Sequence, residues 1–173
     1  MSSLEVPARF CGPASSGNGG WTSGALAALV PTDGPVEVTL RRPPPLDTEL
    51  LVEEVDGVLV ASSADGPVAE ARPVPGLLPV VEPVPADLAA SLGASYAGHR
   101  THPFPTCFSC GTAREPGDGL RIFPGMVAAG SRVAAATWTP HASLEDPAAP
   151  GRVTEAVTWA ALGDLGICTD GLL

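Results

Sequence analysis

An α+β fold, with one central helix followed by an antiparallel meander, is what this sequence predicts, and three stretches carry the prediction. The first is Ser15-Ser16-Gly17-Asn18-Gly19-Gly20-Trp21, which runs into Thr22-Ser23-Gly24-Ala25-Leu26-Ala27-Ala28-Leu29. Small polar residues able to cap a helix give way to an Ala/Leu-rich segment with apolar side chains at helical spacing, so a helix starts near Asn18 to Trp21. The second is Val36 to Arg41, which alternates apolar and polar side chains strictly, as a half-buried strand does. The third is the pair of Asp-Gly steps, Asp56-Gly57 and Asp65-Gly66, set between β-rich runs as hairpin turns.

The remaining elements follow in chain order. Val6 to Cys11, ended by Gly12-Pro13, serves either as a first strand or as the lead-in to the helix. Pro31 to Pro35 is a turn, and Pro43-Pro44-Pro45 stops the first alternating strand. Glu49 to Val55, Val58 to Ser62 and Val68 to Arg72 are the meander strands. Pro73 to Pro85 reads as a linker or an extended strap, and Asp87 to Ser95 as a short helix. Arg132 to Trp138 is expected as a further strand. Thr154 then caps a second Ala-rich helix, Glu155 to Leu162.

Composition narrows the function. With 45% hydrophobic and 16% charged residues the chain is globular, and 20 prolines with 20 glycines predict many turns. A net charge of −10 argues against nucleic acid and anionic membranes as partners, because a phosphate-rich surface would be repelled. No apolar run approaches the roughly 20 residues of a membrane span, and the N-terminus lacks a signal-peptide pattern, so a cytoplasmic protein is expected. Cysteines 11, 107, 110 and 168 are then expected as reduced thiols.

Several residues bear on chemistry. Gly19 and Gly20 carry no side chains to screen their N–H groups, so a carbonyl can approach the helix N-terminus, an oxyanion-hole arrangement. The competing reading is a glycine turn that lets the helix pack closely on a sheet. Cys107-x2-Cys110, near His99 and His102, lacks the second ligand pair of a structural zinc site, and Pro105 and Gly111 frame it as a turn. It is read as a buried or turn-packing pair, with no metal and no cofactor expected. Nucleotide-binding and serine-hydrolase motifs are absent from the sequence.

Asn18-Gly19-Gly20-Trp21 with Gly24, then Val36 to Pro43 and Leu46 to Leu50, resembles the hotdog-fold thioesterase superfamily, in particular its double-hotdog, acyl-CoA thioesterase-like members. His102 to Gly111 and Gly117 to Gly125 extend the resemblance to actinobacterial proteins of this group. The likeness implies a helix wrapped by an antiparallel sheet: residues 1–85 as a first hotdog unit, 86–99 as a linker, and 100–173 as a partial second unit without its last strands. That unit would dock elsewhere or continue in a longer chain.

The implied activity is hydrolysis of an acyl thioester such as acyl-CoA. Gly19 and Gly20 would polarise the carbonyl, and Glu155, in the first turn of the second helix, would activate water after burial between units raised its pKa. Glu155 serves equally as an acid that complements the helix dipole. Asn18 would orient water or thioester, or simply cap the helix, and Trp21 would line the acyl groove or belong to the core. A homo-oligomer is a possible partner state, since such sites lie between units. Two rivals remain: a non-catalytic module binding acyl or small apolar ligands, and a zinc-stabilised interaction module.

Overall fold

The computed structural model describes residues 2–78 and 80–167; Cys168 and the last residues of the expected second unit lie outside them. The elements are β1 (Ser2–Glu5), α1 (Gly19–Ala27), β2 (Val36–Leu40), β3 (Glu49–Val55), β4 (Val58–Ser63) and β5 (Gly66–Pro73), followed by α2 (Ala86–Leu92). Two short ladders come next, β6 (Gly125–Met126) with β7 (Ala134–Ala135) and β8 (Glu145–Asp146) with β9 (Ala149–Val153), before α3 (Glu155–Ile167).

Five antiparallel strands form one sheet in the order β1-β3-β4-β5-β2. Only β3, β4 and β5 meander. Asp56 and Gly57 both take positive φ, 51° and 79°, which suits the tight turn between β3 and β4. The expected helix, strands and hairpins are therefore present, with one correction of order. Pro43-Pro44-Pro45 cannot donate to a ladder, so β2 does not fold back on β3. It pairs with β5 at the opposite edge, Val38 facing Ala71. The proline stretch instead passes beneath the start of α1, where the Gly17 N–H donates to the Pro44 carbonyl at 2.8 Å.

Val6–Cys11 is not a strand. It is the lead-in, with a 3-10 turn at Ala8–Phe10, and the first strand lies before it. The strand expected at Arg132 to Trp138 shrinks to Ala134–Ala135, which pair with Gly125–Met126, the Val127 N–H donating to the Val133 carbonyl at the ladder's end.

One face of the sheet is apolar and holds α1. Leu4, Leu50, Val52, Ala61, Ala69 and Ala71 are buried there with Leu26 and Val30, and Trp21, Ala25, Val36, Val38 and Leu59 pack around them. Alanine at 61, 69 and 71 leaves room for the helix over the central strands. Burying an aliphatic side chain such as Leu26 or Leu50, both fully buried, stabilises the fold by about 1.5–3 kcal/mol.

The opposite face carries ion pairs, Arg72–Glu37 at 2.5 Å and Arg41–Glu70 at 2.7 Å. The hydrogen bond from Arg41 holds the Glu70 carboxyl below the usual glutamate range, against desolvation and with help from the charges of Arg41 and Arg72. The pair's contribution is therefore present above the ordinary glutamate pKa and lost as pH falls through the lower, folded value. Glu70→Gln is expected to flatten the acid limb of stability slightly, less so as salt rises. Denaturant unfolding between about pH 3 and 7 checks this, and superimposable curves would refute it.

The second half is organised by buried side chains more than by ladders. Phe108, Leu120, Ile122 and Leu144 pack with Val157, Ala160 and Ala161 of α3. Arg114, also buried, donates to the carbonyls of Arg9 and Thr106 at 2.7 Å and pairs with Asp118 at 3.0 Å, tying this half to the lead-in. Among the described residues no helix is long and apolar enough to cross a membrane.

Candidate functional site

Helix α1 begins at an extended residue, Asn18, whose side-chain oxygen accepts from the Trp21 N–H at 2.9 Å while its carbonyl accepts from Thr22. Those two bonds account for the third and fourth N–H groups of the helix. The first two belong to Gly19 and Gly20, and neither has an acceptor among the described residues. They are the donors left at the positive end of the helix dipole.

Helix α3 lies directly against this end. A Cβ on Gly20 would stand 2.7 Å from the Trp159 carbonyl oxygen and 2.9 Å from Ala160 Cα. One on Gly24 would stand 2.6 Å from Trp159 Cβ and 2.8 Å from Ala156 Cα. Both glycines are thus close-approach positions, against helix α3 and not the sheet that the packing reading of the glycine turn expected, and Gly20 also borders open space on its other side.

That space is a groove of about 660 Å³ bounded by α1, β2, α3 and the strap after β5. Gly19, Gly20 and Ser23 form the α1 wall, Val36 and Leu40 the β2 wall, and Leu78 reaches it from the strap. From α3 come Glu155, Trp159 and Leu162, spaced four and three residues apart and so on one helix face. The lining is mostly apolar, and its polar equipment is the start of α1, the Ser23 hydroxyl and the Glu155 carboxylate. Such a vessel suits an apolar ligand with one polar functional group.

The structure brings Gly19, Gly20 and Glu155 onto one groove. Glu155 is exposed at the rim, not buried between units as expected: the first turn of α3 meets α1 through Ala156 and leaves Glu155 outside the contact. Thr154 caps α3 as expected, its hydroxyl accepting from the Val157 N–H at 3.3 Å.

Asn18 and Trp21 lie elsewhere. The Asn18 amide donates to Ser109 Oγ at 3.0 Å and reaches Cys107 Sγ at 3.6 Å, and Ser109 donates on to the Ala160 carbonyl at 2.9 Å. This buried relay ties the cap of α1 to the middle of α3 through the turn at 107–110. Asn18→Ala removes a cap bond worth about 1 kcal/mol and leaves Ser109 short of a partner at a similar cost, so a loss of about 2 kcal/mol is expected in urea unfolding. A change below about 0.5 kcal/mol would refute the relay.

Trp21 stacks on Phe10 with ring centroids 4.5 Å apart and joins the two cores, its Nε1 buried without a partner among the described residues. The tryptophan that lines the groove is Trp159. Cys107 and Cys110 are buried with Tyr96 and against Phe123. Among the described residues no group of three or more His, Cys, Asp or Glu is placed to hold a metal ion.

Trp159, Leu162, Leu40 and Leu78 were not anticipated as lining. The spacing from Glu155 to Trp159 and Leu162 is the signal that marks the first two. Compared with family models, curated proteins and solved structures, the chain matches none of them significantly. The functional reading therefore rests on the groove itself.

Proposed function

We propose that this protein is a hotdog-fold acyl-thioester hydrolase. The observation that carries the reading is the shared groove: an apolar vessel with the N-terminus of α1 on one wall and a carboxylate at the rim of the other. The acyl chain lies along Val36, Leu40, Trp159 and Leu162, and its thioester carbonyl points at the Gly19 and Gly20 N–H groups. Those donors stabilise the oxyanion formed when water adds to the carbonyl carbon. Glu155 takes the proton of the attacking water, and collapse of the intermediate breaks the C–S bond, the leaving sulfur taking that proton back from Glu155, to release acid and thiol. The hotdog assignment draws further support from the element order, a helix laid across one face of a sheet ordered β1-β3-β4-β5-β2, with α3 against that helix.

A second reading is a non-catalytic acyl-binding module. The exposure of Glu155 and the full engagement of Asn18 in a structural relay favour it. Hydrolysis assays over acyl thioesters of increasing chain length, carried on coenzyme A and on N-acetylcysteamine, with binding measured on the same ligands, separate the two. Turnover is expected for a substrate that binds; binding without turnover on any chain length leaves the binding module, and neither sinks both.

A further inference from the structure

The polar groups around the groove are unequal in sign. Among the described residues Glu155 is the one charged residue in its lining, and the other polar groups there are a serine hydroxyl, the Trp159 indole and backbone. None of the nine arginines or three histidines lines it, and all of them lie within the described residues. The arginines nearest in sequence to the β2 wall are committed elsewhere: Arg41 pairs with Glu70 on the opposite sheet face, and Arg42 donates to the Asp65 carbonyl. Arg152, just ahead of α3, borders a separate depression with His141 and Glu145. The whole chain adds a net charge of −10.

Recognition of a polyphosphorylated thiol ester, such as one of coenzyme A, takes cationic side chains or several N–H donors against its phosphates. Here a carboxylate stands at the rim and a negative field surrounds it. What the groove does offer is apolar wall for an acyl chain, two N–H donors for a carbonyl, and no counter-charge for a phosphate.

We infer that the groove selects acyl thioesters whose thiol portion is uncharged and discriminates against polyanionic ones. This rests on the thioester reading and sharpens its substrate class. The carboxylate that serves the chemistry also serves as the selective element, because an anionic headgroup emerging at the rim meets it at close range.

Non-hydrolysable thioethers of equal alkyl length test the inference: S-octyl-N-acetylcysteamine as the uncharged probe and S-octyl-coenzyme A as the polyanion, each measured by equilibrium dialysis. At about 10 mM ionic strength, where fields extend ~30 Å, the uncharged probe is expected to bind at least about tenfold tighter. At about 0.15 M, where they extend ~8 Å, the gap is expected to narrow several-fold through a gain by the polyanion alone. Glu155→Gln is expected to narrow it as well, through a gain by the polyanion. Equal or tighter binding of the coenzyme A thioether at low salt overturns the inference, as does binding of neither probe. Selective binding of the uncharged probe by a protein that hydrolyses no matching thioester upholds it and overturns the hydrolase reading alone.

Discussion

Glu155→Gln is expected to lower kcat/KM for thioester hydrolysis by about 10²-fold or more, the usual contribution of a positioned general base. The amide keeps the size and the hydrogen-bonding reach of the side chain while losing its ability to accept a proton. Because Glu155 is exposed and sits in the first turn of α3, the folded chain loses only its interaction with the helix dipole, about 0.5 kcal/mol. A fall in kcat with a urea midpoint lowered only slightly is the expected pair of results. An unchanged rate with a slightly lowered midpoint would assign Glu155 to the helix dipole and remove it from the chemistry.

Substitutions at Gly24 are expected to give the largest losses of stability. On an exposed helix Gly→Ala would stabilise by up to about 1 kcal/mol through backbone propensity. Here the added methyl meets Trp159 Cβ at 2.6 Å and the Ala156 backbone at 2.8 Å, neither of which is the movable tip of a long side chain. Gly24→Ala is therefore expected to cost about 1–3 kcal/mol and Gly24→Val about 3 kcal/mol or more, by forcing α3 away from α1. The same displacement moves Trp159 and Glu155 together, so acyl binding should weaken in step with stability. Urea unfolding of the two variants checks the order, and a stabilised Gly24→Ala would refute the contact.

The half of the fold that was legible in the sequence is the half with a period. Val36 to Leu40 alternates, Asp-Gly turns close the next strands, and Asn18 caps its helix, so local chemistry and tertiary structure agree. Strand β1 was illegible because Ser2-Ser3-Leu4-Glu5 holds one apolar residue; pairing with β3, Leu4 against Leu50, makes it a strand. The crossing of β2 to the far edge follows from three prolines whose effect on order, unlike their effect on strand length, has no local signature.

Residues 93–153 have no period to read. Their shape is set by single buried groups, such as Arg114 holding two distant carbonyls, and long-range bonds of that kind leave no pattern along the chain. The groove was legible where it depends on helix ends, with Gly19, Gly20 and Glu155 in its lining. It was undecided at Trp21, between groove and core, because the helix tryptophans both sit early in Ala-rich segments and only the neighbour distinguishes them: Phe10 covers Trp21, whereas Trp159 lines the groove.

The contact between α1 and α3 also imposes an order in time. Synthesis runs from the N-terminus, so β5 is complete while roughly 80 residues separate it from α3, a lag of about 4–16 s at ~5–20 residues per second. Throughout that interval the sheet and α1 can assemble, but water occupies the place that Trp159 will take beside Gly20 and Gly24. The groove has one wall before it has the other, and no ligand can be enclosed until the nascent chain delivers its third helix.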